Sequence, residues 1–465
     1  MLNDKNPRQI AARVLSQRLT SGEYTENLLE TALAAARLAP ADRGLCHELV
    51  CGVVRWQATL DCLIARKTDP ARQQRPALIN LLRLGLYQLF WLERIPAHAA
   101  VHETVELAKE SGYGAQAGFI NAVLRGYVRE TDAIKKILAD MKVSQPALGW
   151  SHPDWLVARW QQQFGPENLR KLLEWNNTPP KTYARVNALK FTPGEAAVPP
   201  GTPLPPGLPP VPPPRLRDAG DLLTRWREEN VEYDFFTRDW TGENLAFELK
   251  SHPSLARLGS LRDGWFYVQD PSTLLAPVML DPEPGDSILD LCAAPGGKTT
   301  FLAQLIENQG RIVATDLDPE RLKRVVENCA RLGVTCVETR RSDGLTAGGG
   351  RAGEAAPSFD KILVDAPCSN TGVLRRRVDL RWRIQATEID RLHHAQLELL
   401  RQAAAKLKPG GVLVYSTCSL EPEENSGVVS QFLAGQPGFR LDGERQLLPF
   451  ANGVDGAYAA RLKRT

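Results

Sequence analysis

The chain has 465 residues, 43% hydrophobic and 24% charged, which is the composition of a globular protein with room for about three domains. Its net charge of +3 is too small to mark a nucleic-acid binder by itself, because charge must be clustered to act as a footprint. No apolar run reaches the roughly 18 residues that span a bilayer. The start, Met1 to Leu15, lacks the apolar core and cleavage site of a secretory signal, so a cytoplasmic protein off the membrane is expected.

Residues 1 to about 140 carry helical periodicity. Ile10, Ala11, Val14, Leu15 and Leu19 share one face, and Leu28, Leu29 and Ala32 begin another. Leu78–Leu92 and Val101–Lys109 continue the pattern, and Gly112 and Gly114 interrupt it before Phe119–Val128. Pro146 and Pro153 mark a boundary, after which Tyr183–Leu189 alternates like a strand. Pro193–Pro214 is about half proline, so it reads as an exposed spacer or loop insertion that packs no core.

From Arg262 onward strands alternate with helices. Ser287–Leu291, Ile312–Thr315, Lys361–Val364 and Gly411–Tyr415 read as buried parallel strands, with helical patterns at Thr300–Ile306, Pro319–Leu332 and Ile389–Leu407. The expected architecture is α/β. A helical domain covers 1–142 and a small α+β subdomain with the proline-rich insertion covers 143–261. A Rossmann-like doubly wound domain then covers 262–465.

Ile288–Leu291 runs into Cys292-Ala293-Ala294-Pro295-Gly296-Gly297-Lys298, a glycine turn that lets backbone approach a ligand at a helix N-terminus. Asp316 ends the next strand 20 positions after Gly296, the spacing at which a carboxylate takes both hydroxyls of a ribose. Gly297-Lys298-Thr299 imitates the end of a P-loop, but Cys292 stands where that motif needs glycine, and the dinucleotide motif G-x-G-x-x-G is absent. Asp343 follows the third strand and suits an adenine amino group. Asp365 ends the fourth, near where a cofactor would meet its substrate. Singly, each aspartate is equally a turn former or helix cap; their common place at strand carboxyl ends favours a site.

The eight cysteines include no CxxC pair and no histidine at zinc-finger spacing, so neither a metal nor a disulfide framework is expected. Most read as small buried hydrophobes. Cys368, in Asp365-Ala-Pro-Cys-Ser369, and Cys418, in Ser416-Thr-Cys-Ser419, differ: each follows a strand at the ligand-binding edge.

These motifs, with Tyr267-Val-Gln-Asp-Pro-Ser-Thr273 and Asp455-Gly-Ala-Tyr458, resemble the RNA cytosine-5 methyltransferase family over essentially all of 262–465. The resemblance implies a thiolate that adds to carbon 6 of cytosine, making carbon 5 enamine-like so that it can attack a sulfonium methyl. It implies Cys418 as nucleophile, Cys368 as an aid to product release, and Cys292–Lys298 with Asp316, Asp343 and Asp365 as the S-adenosylmethionine site. Asn6–Ala12, Val101–Ala108 and Ala117–Arg125 resemble the RNA-binding antitermination factor NusB. That pairing of domains implies a cytosine of 16S ribosomal RNA as substrate, bound by a monomer without metal or membrane. The same chemistry on transfer RNA or another ribosomal site, and a non-catalytic assembly factor, are the competing readings. In Leu374–Trp382 the family's usual His-Pro before the aspartate is replaced, and Arg375–Arg377 with Arg381 are candidates for phosphate contact or a solvated basic loop.

Overall fold

Local signals start the first helix: the Asn6 side chain accepts the backbone N–H groups of Arg8 and Gln9, and Pro7 fills the first helical position. The computed structural model describes residues 6–69, 74–190, 220–342 and 358–465. The chain divides into two units, Met1–Pro179 with Leu374–Ile384, and Pro180–Val373 with Gln385–Thr465. Asp343 and the proline-rich stretch Pro193–Pro214 lie outside the described residues.

The first unit is helical. Helix α1 (Pro7–Arg18) buries Ile10, Ala11, Val14 and Leu15, the face read from the sequence, whereas Leu19 lies just past its end and is exposed. Helices α2 (Thr25–Ala35), α3 (Pro40–Arg55), α4 (Gln57–Lys67), α5 (Pro76–Trp91) and α6 (Ala97–Glu110) follow. Then come α7 (Ala117–Arg129), α8 (Thr131–Ser144) and α9 (Asp154–Asn177). Helix α9 kinks where Gly165, at φ +75°, precedes Pro166, because proline disfavours helical backbone in the residue before it.

Leu374–Ile384 belongs to this helical unit although it is embedded in the second half of the chain, and this corrects the expectation for its arginines. Arg381 is 0% exposed and donates to Asn177 Oδ1 (2.8 Å), Asn176 O (2.9 Å), Ser151 O (3.2 Å) and Arg55 O (3.3 Å). Arg375 is 2% exposed with its guanidinium 3.8 Å from the Trp175 ring centre. Trp382 Nε1 donates to Val54 O (2.7 Å). Asp379, also 0% exposed, accepts from Arg18 Nε (2.6 Å), Arg383 Nε (2.7 Å) and Thr25 N–H (3.2 Å). Arg375 and Arg381 are therefore anchors of the helical unit rather than phosphate contacts; Arg377 stays exposed. A guanidinium can be buried here because carbonyls and an aromatic face replace its water.

The second unit contains two sheets. The smaller consists of β1 (Thr182–Val186), β2 (Glu232–Arg238), β3 (Gly242–Ser251) and β4 (Phe266–Val268), antiparallel in the order β2-β3-β1-β4. Helix α10 (Gly220–Glu228) covers it with Trp226, which meets Phe247 and Phe266 edge-on.

The larger sheet holds β5 (Ser287–Leu291), β6 (Arg311–Asp316), β7 (Val337–Arg341), β8 (Phe359–Asp365), β9 (Leu407–Thr417), β10 (Phe439–Leu447) and β11 (Ala457–Arg464). Its order is β10-β11-β9-β8-β5-β6-β7, parallel from β9 to β7. All four expected strands lie within it. Strand β11 runs antiparallel to both its neighbours, β9 and β10, so the sheet is mixed. Arg440, Asp442 and Glu444 stud the edge strand β10, a pattern that protects an edge and hides it from a search for apolar runs.

Alternate residues of the central strands face opposite sides. Ile288, Ile312 and Val414 pack with Phe301 and Leu302 of α11 (Gly297–Leu305) and Val325 of α12 (Pro319–Leu332). Leu289, Val313 and Leu413 pack with Leu397 and Leu400 of α13 (Ala386–Ala404) and Phe432 of α14 (Ser426–Gly435). Helix α12 has both ends signalled: Asp318 caps it, Pro319 begins it, and Gly333 ends it at φ +72°. Both faces are covered, leaving the carboxyl edge of the parallel strands to build a site.

Candidate active site

The glycine turn follows β5 at this edge. Cys292 has φ +60° and Gly296 φ +100°, and a Cβ on Gly296 would sit 3.2 Å from Val325 Cα, so glycine is needed both for conformation and for the approach of α12. The turn is tied down by Ala293 N–H to Thr315 O (2.8 Å) and Gly296 N–H to Ala293 O (2.8 Å). Asp316, at the end of β6, accepts the N–H groups of Ala294 (3.3 Å) and Asp318 (3.1 Å). Ala293 and Ala294 are buried beneath the turn and Pro295 is exposed on it. Arg185 reaches from β1 to the start of α11, donating to Gly297 O (2.7 Å), Gln269 Oε1 (2.6 Å) and Thr300 Oγ1 (3.1 Å).

Beside the turn lie three further ionisable groups. Lys298 Nζ stands 2.6 Å from Asp365 Oδ2, and Asp365 Oδ1 accepts from Ser416 Oγ (3.0 Å). Burial would lower the Lys298 pKa, but the facing Asp365 carboxylate, with Cys418 adding, keeps it raised. Asp290 is fully buried; one oxygen accepts from Thr299 Oγ1 (2.6 Å) and the other, Oδ1, has no partner among the described residues. Burial pushes its pKa up to about 7, the Thr299 bond opposing and Asp365 adding. Burial also pushes the Cys292 thiol up to about 12, with Asp365, Asp316 and Asp290 reinforcing it, so this cysteine is a protonated lining group.

The two cysteines that follow β8 and β9 meet. Asp365 and Ser416 are paired across the parallel strands β8 and β9, so the loops that follow emerge side by side. Cys368 Sγ and Cys418 Sγ are 3.3 Å apart. The Cys418 thiol donates to Asn370 Oδ1 (3.1 Å), and Asn370 Nδ2 donates to the Cys368 carbonyl (2.6 Å). The bond to Cys418, then burial, hold the Cys368 thiol well above its usual range. A Cβ on Gly372 would come within 2.7 Å of Cys418 O and of Gly456 Cα, so three loops converge where only glycine fits.

Beneath them Glu424 is wholly buried. Its Oε1 accepts from Ser369 N–H (2.8 Å) and Gln396 Nε2 (2.9 Å), and its Oε2 from the Ser369 and Ser419 hydroxyls. Burial raises its pKa, the serine and glutamine bonds pulling the other way.

Cys368, Cys418, Asp365 and Lys298 are thus brought together, while Cys292 and Asp316 flank the turn and Asp343 lies outside the described residues. Asn370, Glu424 and Arg185 were not read from the sequence. Glu424 sits in Glu421-Pro-Glu-Glu-Asn425, which looks like a solvated acidic loop. Arg185 had a signal: it interrupts the buried strand pattern of Tyr183–Val186.

A nucleoside with a sulfonium and an amino-acid tail needs a carboxylate for its diol, backbone N–H groups, and acceptors near its cation. Asp316, the N-terminus of α11 and the unpartnered Asp290 Oδ1 make up that donor and acceptor set, so the residues fit S-adenosylmethionine.

Residues 277–463 match the family of 16S rRNA methyltransferase RsmB/F, residues 5–129 match the NusB family, and residues 152–197 match the ferredoxin-like domain of RsmF/B-like methyltransferases. The chain is 33% identical to the probable ribosomal RNA small subunit methyltransferase B of Bacillus subtilis, covering 98% of each chain. It is 35% identical to ribosomal RNA small subunit methyltransferase B of Vibrio vulnificus, covering 98% of this chain and 99% of that one. A solved methyltransferase homologue from Pyrococcus horikoshii is 30% identical and covers 69% of this chain and 97% of that chain, with a TM-score of 0.54.

Proposed function

The chain belongs to the family of 16S rRNA methyltransferase RsmB/F, and from that premise we propose that it methylates carbon 5 of a cytosine in 16S ribosomal RNA through a covalent adduct on Cys418. The observation that carries the reading is the pair of thiols 3.3 Å apart, beside the Lys298–Asp365 ion pair at the edge of the sheet.

Asp316, the turn Cys292–Lys298 and the start of α11 would hold S-adenosylmethionine, which supplies a sulfonium methyl when bound; Asp343 is proposed for its adenine. Cys418 adds to carbon 6 of the cytosine. As the S–C6 bond forms, the thiol proton goes to N3, the C5–C6 π pair becomes the second C4–C5 bond and the C4–N3 π pair becomes the N3–H bond, leaving carbon 5 enamine-like and able to take the methyl. Asp365, held by Lys298 and Ser416, faces this region and serves to contact the base. After transfer the proton on carbon 5 passes to solvent water, its bonding pair re-forms the C5–C6 double bond, and the S–C6 pair returns to the Cys418 sulfur as N3 gives up its proton. Cys368, whose thiol is kept protonated, is the group beside Cys418 that assists this release. A base stacked in a helix could not reach two thiols at a strand edge, so the target must be flipped out or already unpaired.

The test is to incubate the purified chain with S-adenosylmethionine and, in separate reactions, unmethylated 16S rRNA and transfer RNA, and to map 5-methylcytosine by bisulfite sequencing. One new site is expected. Methylation found only on transfer RNA, or on no cytosine at all, would overturn the reading.

A further inference from the structure

We propose that Glu424 is the positioning residue of the thiol pair: one buried carboxylate that grips the loop carrying Cys368 and the loop carrying Cys418 and fixes their separation. The proposal rests on the reading of those cysteines as the reacting pair.

The contacts are divided between the two loops. Ser369, next to Cys368, gives Glu424 both its backbone N–H and its hydroxyl, and Ser419, next to Cys418, gives its hydroxyl. The two hydroxyls also lie 3.0 Å from each other. Gln396 of α13 donates to the same carboxylate at 2.9 Å and to Pro367 O at 2.9 Å, which fixes the residue before Cys368 to the same point. From the other side Tyr415, three residues before Cys418, donates its hydroxyl to the Glu424 carbonyl at 2.6 Å. Asn425 extends the grip, donating to Ser419 O (2.9 Å) and accepting from Thr417 Oγ1 (2.6 Å). Both neighbours of Cys418 and both neighbours of Cys368 are thus tied to Glu424, to Asn425 or to the glutamine that Glu424 holds.

Burying a carboxylate is expensive, and an apolar side chain of the same size would fill the space more cheaply. What the carboxylate adds is geometry: four acceptor directions on one rigid plane, reaching two loops that backbone bonds join at Ala366 N–H to Ser416 O and at Gly372 N–H to Cys418 O (2.9 Å each), on either side of Cys368 and its neighbours. Placing a nucleophile and its assisting group within reach of one base demands such fixity, since a misplacement of about 1 Å can cost on the order of a hundredfold in rate.

The test compares Glu424→Met with Glu424→Gln. Methionine fills the volume and loses every contact of the carboxylate. Glutamine keeps the Oε1 bonds, and its amide can donate to the two hydroxyls, which rotate to accept. For Glu424→Met the single-turnover methyl-transfer rate is expected to fall roughly 10- to 100-fold while S-adenosylmethionine affinity by calorimetry stays within about twofold. Glu424→Gln should restore most of the rate. A second readout needs no methyl transfer: dibromobimane joins neighbouring thiols, each sulfur displacing one bromide, and peptide mass spectrometry locates the bridge. The ratio of Cys368–Cys418 bridged product to product alkylated only at Cys418 should fall in Glu424→Met and recover in Glu424→Gln. If Glu424→Met fails to melt cooperatively, Ser369→Ala and Ser419→Ala take its place, each expected to lower the rate and the bridging ratio without moving cofactor affinity. Wild-type rate and bridging in the folded variants would overturn the proposal, as would a Gln variant no better than Met. Bridging that depends on Glu424 in a wild-type chain that methylates no cytosine would instead sink the functional reading alone.

Discussion

Asp379→Ala is the substitution that separates an anchored basic segment from a solvated one. Asp379 accepts from Arg18, Arg383 and the backbone N–H of the fully buried Thr25. Removing the carboxylate orphans that N–H, at about 1–3 kcal/mol, and leaves two guanidiniums without their partner. Breaking a buried ion pair on one side costs about 3–5 kcal/mol. The Arg18 and Arg383 side chains are 12% and 28% exposed and can rehydrate in part, so the lower end, about 3 kcal/mol, is the expected loss. At about 2–4 °C per kcal/mol for a unit of this size, the melting temperature of the helical unit should drop by about 6–12 °C. Differential scanning calorimetry measures it directly. A shift below about 2 °C, accompanied by tighter RNA binding from the newly uncompensated arginines, would refute the burial argument and return the segment to the solvent.

Cys418→Ser should abolish methyl transfer and leave S-adenosylmethionine binding by calorimetry near normal; retained single-turnover transfer would remove Cys418 from the role of nucleophile. Cys368→Ala should still permit attack and transfer but slow release, giving a protein–RNA adduct on denaturing gels that is absent from the Cys368→Ala, Cys418→Ala double variant. Normal turnover with no trapped species would leave Cys368 as packing. Asp290 holds its proton more tightly folded than unfolded, with a pKa of about 7, so it lowers stability as pH rises from about 4 to about 7. Asp290→Asn should flatten the melting temperature of the second unit across that range, and an unchanged slope would show that Asp290 is ionised throughout.

Four of the five parallel strands were legible because each is a short apolar run buried on two faces, and a residue such as Ile288 or Leu413 has no other reason to stand there; β7, with Glu338, Arg340 and Arg341 exposed, offers no such run. The paired cysteines were legible for a related reason: the strand ends place them, and β8 and β9 are neighbours. Strand β10 was not, because an edge strand interleaves Arg440, Asp442 and Glu444 with its apolar residues. Glu424, Arg381 and Asp379 escaped for one physical reason. Charged side chains read as solvated in sequence, and it takes tertiary contacts as much as 361 positions away to surround them with partners.

The return of Leu374–Ile384 to the helical unit also sets an order of events at the ribosome. Arg18 waits for an aspartate 361 positions downstream. At about 5–20 residues per second that interval is roughly 20–70 s. Helices α1 to α9 emerge long before the segment that satisfies the Asn177 side chain and the Ser151 and Asn176 carbonyls, and over that interval Arg18 has Gln57 Oε1 but not its carboxylate partner. The first part of the protein to be made is thus among the last to be completed, and its maturation is timed by synthesis of the parallel strands through β8.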